Sequence, residues 1–164
     1  MTSPSRLDRL LAGRPPAVAD AIAASRLLFR VAHMLEARID AALSQFGIDM
    51  RDYLALVLIA DAAVEPLRPS DLSTTLDATR TQITRLLDGL EKKGLARRLP
   101  GSQRDRRSLH LELTEDGRQL LRRAAANVHA AYSEGWAALG PDRTRQAAAL
   151  LGAMHRAIEP TEEP

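Results

Sequence analysis

Between Thr79 and Arg85 the chain reads Thr-Arg-Thr-Gln-Ile-Thr-Arg, and the polar members of that run carry the chemistry that reads base edges. An arginine donates a bidentate fork to guanine O6 and N7, and a glutamine carboxamide pairs with adenine N6 and N7. A threonine bonds a base or packs its methyl against thymine. Ile83, Leu86, Leu87 and Leu90 recur at helical steps, so one face turns inward and Arg80, Thr81, Gln82, Thr84 and Arg85 point outward. An ordinary solvated face shows Glu and Lys four residues apart, which is the character of the second half, with Asp88, Glu91 and Lys92.

A second cluster follows at Ser102-Gln103-Arg104-Asp105-Arg106-Arg107. Three arginines on a narrow β-ribbon suit an adjacent minor groove, whose negative potential attracts guanidinium groups where it is narrow. Asp105 either orients a neighbouring arginine through a charge-assisted pair or stabilises the local turn. From Arg80 to Arg107 nine basic residues face three acidic ones, a local charge of +6 on a chain whose net is +2. That concentration fits either a solvated surface or a phosphate-binding one, where released counterions favour association. The order of residues within it favours the second.

The elements that must position these groups are mainly helical. With 28 Ala and 26 Leu the chain is rich in helix formers, which excludes an all-β sandwich or barrel. A short helix holding Leu7, Leu10 and Leu11 is stopped by Gly13 and the Pro15-Pro16 pair. Asp20 to Phe46 reads as a long helix, apolar on more than one side and ended by Gly47. Met50 to Ala63 reads as a shorter, densely apolar and therefore central helix. Pro66 and Pro69 break the pattern, and Ser70 is placed to cap a short helix through Leu72 and Leu76. Thr79 and Gln82 form a capping box for the next helix, which stops at Gly94. Leu95 to Leu99 and Ser108 to Leu113 make a hairpin in which Leu109, Leu111 and Leu113 share one buried face. Thr114 caps a helix that carries its stripe up to Gly140-Pro141. Asp142 caps a last one through Leu150, Leu151, Met154 and Ile158, ahead of a frayed tail from Glu159.

Two helices joined by a short turn and followed by a hairpin make a winged helix-turn-helix. The expected fold is thus mainly α with a small β-hairpin wing, one domain over 1–164 with a DNA-binding lobe at 50–117. Dimerisation helices flank it at 19–47 and 118–159.

The stretch from Leu54 to Gly117 resembles the multiple-antibiotic-resistance regulator (MarR) family of bacterial winged-helix repressors. The similarity is carried by Leu72-Ser73-Thr74-Thr75-Leu76, by Ile83 through Leu95, by the wing residues Asp105-Arg106-Arg107, and by Leu111, Leu113-Thr114 and Gly117. The resemblance implies that Arg85 contacts bases or backbone in the major groove and that Arg107 enters the minor groove. It also implies a homodimer whose N- and C-terminal helices interdigitate. Such a two-fold dimer reads an inverted repeat with half-sites about 10 bp apart. Phosphate contacts are then expected from Ser70, Thr79, Thr84 and Arg98 and from helix N-terminal amides, setting register more than sequence. Members of the family commonly bind small, often aromatic anions in a crevice between the dimer helices and the winged helix. Here Arg26, Arg30, His33 and Tyr53 lie on elements that reach such a crevice, although Arg30 and His33 also read as a solvated edge and a core histidine. Tyr132 and Trp136 read as dimer-core aromatics.

Other functions find little footing. With no cysteine, disulfides, zinc-thiolate sites, iron–sulfur clusters and thiol sensing are excluded. His33 with Glu36, His110, His129 and His155 match none of the usual zinc spacings, and no catalytic or cofactor-binding motif occurs. No cofactor and no enzymatic activity are expected. Without a signal core or an apolar run of membrane-spanning length, the chain is expected to be cytoplasmic. A rival from another class is a helical, dimeric protein-interaction module with a degenerate winged helix. Arg80, Gln82, Arg85 and Arg107 argue against that rival, and a cofactor-free enzyme would need paired groups of strongly shifted pKa that nothing in the sequence indicates.

Overall fold

The structure is a computed structural model that describes residues 13–62, 67–100 and 109–158. In chain order the elements are α1 (Pro16–Leu43), a 3-10 turn (Ser44–Phe46), α2 (Met50–Asp61), α3 (Pro69–Thr75), α4 (Arg80–Lys92), β1 (Ala96–Pro100), β2 (Leu109–Leu113), α5 (Glu115–Trp136) and α6 (Gly140–Ile158). The expected helix through Leu7, Leu10 and Leu11 lies outside the described residues, as does the wing tip. The chain divides into two compact units, one ending at Ala37 and the other beginning at Arg38, a division that falls within α1.

The α1 helix begins at Pro16, four residues before the expected Asp20. Proline needs no hydrogen-bond partner for its nitrogen and has a φ already set for a helix, so at the first position it starts a helix as readily as it ends one. The Pro15 carbonyl accepts from Val18 and Ala19 at 3.0 and 3.1 Å, closing the first turn. Gly47 ends the following turn with φ 69° and donates its N–H to the Ser44 carbonyl. Along α1, Ile39 and Leu43 in the second unit are buried, whereas Leu27, Phe29, Val31 and Met34 in the first are exposed, Phe29 at 71%.

Within the second unit the core gathers Leu43, Leu56, Leu72, Leu87, Leu90 and Val128, so α2, α3, α4 and α5 each contribute. The α2 helix is central, with Tyr53, Ala55, Leu56 and Ile59 all buried, and Asp49 caps it by accepting from the Asp52 N–H. Asp40 accepts from the Met50 N–H at 2.7 Å, tying the end of α1 to the start of α2.

Pro69, expected as a breaker, instead opens α3, and Ser70 lies inside that helix instead of capping it. Arg68 occupies the cap position, and its N–H donates to the Asp71 carboxylate at 2.8 Å. The turn from α3 to α4 depends on Asp77, which adopts φ 46°. Left-handed backbone strains any residue with a Cβ, Asp and Asn least and β-branched residues most. Asp77→Val is therefore expected to lower stability by about 1–2 kcal/mol while Asp77→Gly leaves it unchanged or higher, as chemical denaturation would show.

The hairpin is antiparallel, with Ala96 opposite Leu113 and Arg97 opposite Glu112. Its buried face is shorter than expected: Leu111 and Leu113 are buried, but Leu109 is 45% exposed. Leu109 pairs with Pro100 at the far end of the ladder, where the strands extend beyond the core. Thr114 caps α5 as its sequence suggests, accepting from the Gly117 N–H at 3.0 Å. In that first turn, hydrogen bonds from Arg118, Arg122 and Gln119 hold the Glu115 carboxyl below its ordinary pKa. The α5 helix ends at Trp136, and α6 starts at Gly140, so Asp142 sits in the first turn of α6 and is not its cap. Leu150, Leu151, Met154 and Ile158 on α6 are exposed, as Phe29 is on α1.

Candidate nucleic-acid interface

The α4 helix divides as the sequence suggests. Ile83, Leu87 and Leu90 are buried and Leu86 packs against the core. Arg80, Thr81, Gln82, Thr84 and Arg85 are all exposed. Thr79 begins the helix with a reciprocal cap, its hydroxyl accepting from the Gln82 N–H while the Gln82 side chain accepts from the Thr79 N–H at 2.8 Å. Gln82 Oε1 also accepts from the Thr79 hydroxyl at 3.0 Å. The carbonyl end of Gln82 is thus occupied at the helix start, and its amide nitrogen is the end left for a base. Thr84 donates its hydroxyl to the Arg80 carbonyl at 2.9 Å. Its hydroxyl proton is directed back along the helix, which leaves its methyl and oxygen lone pairs for recognition.

Arg80 and Arg85 make no ion pair among the described residues, whereas the arginines of β1 are all engaged. Arg97 pairs across the hairpin with Glu112 at 2.8 Å. Arg98 reaches back to α4 and bonds Glu91, Asp88 and the Thr84 carbonyl. Ser70 and Thr79 are exposed near the two helix starts of the helix-turn-helix, and the Ser70 hydroxyl donates to Asp71 at 3.3 Å. Arg104, Asp105, Arg106 and Arg107 lie outside the described residues.

Two contacts that hold this lobe together were not apparent in the sequence. Asp52 is buried on α2, and Lys93, at the end of α4, donates to its carboxylate at 2.5 Å. The pair fastens the far end of the candidate recognition helix to the central helix. Lys93→Ala is expected to lower stability by about 1–2 kcal/mol, because it strands a carboxylate with 10% side-chain exposure; the 40% exposure of Lys93 limits the loss. An unchanged denaturation midpoint would contradict this. The second contact joins the start of α5 to the chain between α4 and β1. Thr114 donates its hydroxyl to the Gly94 carbonyl at 2.6 Å and its N–H to the Leu95 carbonyl at 3.1 Å.

The residues expected to meet a small ligand fall in different places. Arg26, Arg30 and His33 are exposed along α1 in the first unit. Tyr53 is buried in the second unit, where burial, and secondarily the Tyr132 phenol, push its pKa above the ordinary value. Tyr132 is exposed and Trp136 half-buried. Among the described residues no group of three His, Asp or Glu side chains is arranged to hold a metal ion, and no helix is long and apolar enough to cross a membrane.

A helix-turn-helix whose second helix presents arginine, threonine and glutamine, followed by an antiparallel hairpin, is the winged helix-turn-helix of DNA-binding regulators. No family model matches the chain. It is 39% identical over 93 residues to the transcriptional repressor MprA of Escherichia coli, covering 57% of this chain and 52% of that protein, so it spans about half of that relative. It is 32% identical over 117 residues to the HTH-type transcriptional regulator PrsX of Escherichia coli, covering 71% of this chain and 70% of that one. Among solved structures, a MarR-family transcriptional regulator from Rhodococcus superposes with a TM-score of 0.73 at 29% identity, over 85% of this chain and 96% of that one. A mutant MarR from E. coli complexed with operator DNA gives a TM-score of 0.75 at 26% identity, over 82% and 95%. CouR from Rhodococcus jostii bound to p-coumaroyl-CoA gives 0.69 at 30%, over 84% and 93%. The chain belongs to the MarR family of winged-helix transcriptional regulators.

Proposed function

We propose that the chain is a sequence-specific double-stranded DNA-binding regulator, a repressor that acts as a homodimer on an inverted-repeat operator and is released by a small molecule. The observation that carries this reading is the N-terminal half of α4, where Arg80, Thr81, Gln82, Thr84 and Arg85 are exposed together on a helix braced by a wing. The complex of the E. coli MarR mutant with operator DNA supports placing this helix in a major groove. In that placement Arg85 and Arg80 meet base edges or phosphates, and Ser70 and Thr79 hold the backbone. Arg104, Arg106 and Arg107, with Asp105 among them, reach the adjacent minor groove.

Dimerisation is supported by the apolar residues left exposed on α1 and α6, since side chains such as Phe29 and Leu150 gain by burial against a second copy. Release is supported by the CouR complex with p-coumaroyl-CoA, an aromatic anion. In this chain Arg26, Arg30 and His33, with Tyr53, are the residues assigned to an anionic or aromatic effector. Such a ligand releases DNA only if it binds one dimer geometry more tightly than the other. The function needs neither cofactor nor catalysis, and its place is the cytoplasm, where the DNA is.

The test is selection of bound duplexes from a random library, then titration of the best sequence at several salt concentrations. A palindrome with half-sites about 10 bp apart and a steep salt slope is expected. Weak, sequence-independent binding alone would move the protein-interaction reading into first place.

A further inference from the structure

The side chain of Arg98 is 22% exposed, although it belongs to a wing strand in the most basic part of the chain. Its Nη1 donates to Glu91 Oε2 at 2.6 Å, and its Nη2 donates to Asp88 Oδ1 at 2.7 Å and to the Thr84 carbonyl at 3.2 Å. The Arg98 backbone N–H donates to the other oxygen of Glu91 at 2.8 Å. Thr84, Asp88 and Glu91 stand at four- and three-residue steps, so they form one face of α4, and Arg98 spans it along its length. A planar guanidinium suits this task because its donors are fixed in a fork, which a lysine ammonium cannot reproduce.

We propose that Arg98 is a positioning residue: it sets the wing strand β1 against the recognition helix α4 and neutralises Asp88 and Glu91, instead of contacting a phosphate itself. The proposal rests on the DNA-binding reading above. Its anchor on Thr84 lies beside Arg85, so the same hydrogen bond fixes the part of α4 that carries the base-reading side chains. Without Arg98, two carboxylates on α4 lose the cation that offsets them close to the phosphates.

Glu91 makes the decisive test because two accounts predict opposite signs. Removing a negative charge near DNA would by itself tighten binding, whereas loosening a clamp weakens it. In titrations of the selected duplex, Glu91→Gln is expected to weaken binding about threefold and Arg98→Lys about tenfold. Both should keep the wild-type slope of log K against log salt, at temperatures where circular dichroism shows them folded. Hydrogen exchange on the free protein is expected to speed up at the β1 amides in both variants, because Glu91 accepts from one of them directly.

Glu91→Gln that binds as tightly as wild type, or more tightly, overturns the proposal. So does an Arg98→Lys protein of unchanged affinity, or an Arg98→Ala salt slope shallower by about 1.8, the mark of one phosphate that Arg98 had neutralised in each half-site of the dimer. Unchanged β1 exchange overturns it as well. Wild-type protein that binds no duplex would instead sink the DNA-binding reading, and the positioning role with it.

Discussion

Gly117→Ala is expected to destabilise the protein by about 3 kcal/mol, which for a domain of this size lowers the melting temperature by about 6–12 °C. A Cβ at Gly117 would lie 2.0 Å from the Leu95 carbonyl oxygen and 3.0 Å from its carbon. Those are backbone atoms, held on one side by the Thr114 N–H and on the other by the core packing of Leu95. They cannot swing aside as the end of a lysine would, so the first turn of α5 must lift away from the chain leading into β1. That shift also moves the wing, so the folded fraction of the variant is expected to bind duplex DNA more weakly. Gly89→Ala provides the contrast, because nothing lies within 4 Å of the Cβ that would be added. In mid-helix it is expected to raise stability by about 0.5–1 kcal/mol. Differential scanning calorimetry of both variants separates the cases, and a Gly117→Ala protein that melts within about 2 °C of wild type would show that the α5 start yields.

The same glycine illustrates what a single sequence conveys. Its place three residues after the capping Thr114 was readable, but the close approach that requires it depends on a carbonyl more than twenty positions earlier in the chain. The winged helix-turn-helix itself was legible because its signals are local: the Thr79–Gln82 cap, the period of Ile83, Leu87 and Leu90, and alternation in β2. Starts marked by proline or by a small polar residue were less legible. Pro16 and Pro69 both open helices, and Ser70 and Asp142 both lie within first turns that they were expected to cap. At Pro16 an earlier backbone carbonyl meets the first amides, and at Pro69 a neighbouring carboxylate accepts from the cap residue, which residue type alone does not reveal.

Charge was legible as a quantity and not as a set of pairs. The run from Arg80 to Arg107 carries +6, yet the four arginines of it that the structure describes divide into two kinds. Arg97 and Arg98 are tied to carboxylates on their own strand partner and on α4, while Arg80 and Arg85 have no such partner among the described residues. Asp52 gave no hint of its pairing with Lys93, because the two are brought together only by the packing of α2 against α4. Pairing of this kind separates a structural cation from one left to meet phosphate or bases, and it requires the fold.

That division leaves Arg80 and Arg85 to meet the duplex, and Arg85 is the one that the resemblance to the MarR family puts in the major groove. On the proposed reading, Arg85→Ala is expected to weaken binding by about 1–3 kcal/mol per half-site, or about fivefold to 150-fold for each half-site, with the melting temperature unchanged. The fold should not respond, because Arg85 is exposed and makes no ion pair among the described residues. The pattern of the loss then identifies its role. If it is confined to operators keeping the cognate base pair, and vanishes when that pair is changed, Arg85 reads a base edge directly. If it is uniform across sequences and the salt slope falls by about 0.9 for each phosphate no longer neutralised, Arg85 holds the backbone. Gln82→Glu sharpens the interpretation, since glutamate preserves the cap on the Thr79 N–H but places a negative charge beside the duplex. That variant is expected to keep its helix by circular dichroism and lose operator affinity. Wild-type affinity in both variants would show that α4 faces something other than DNA.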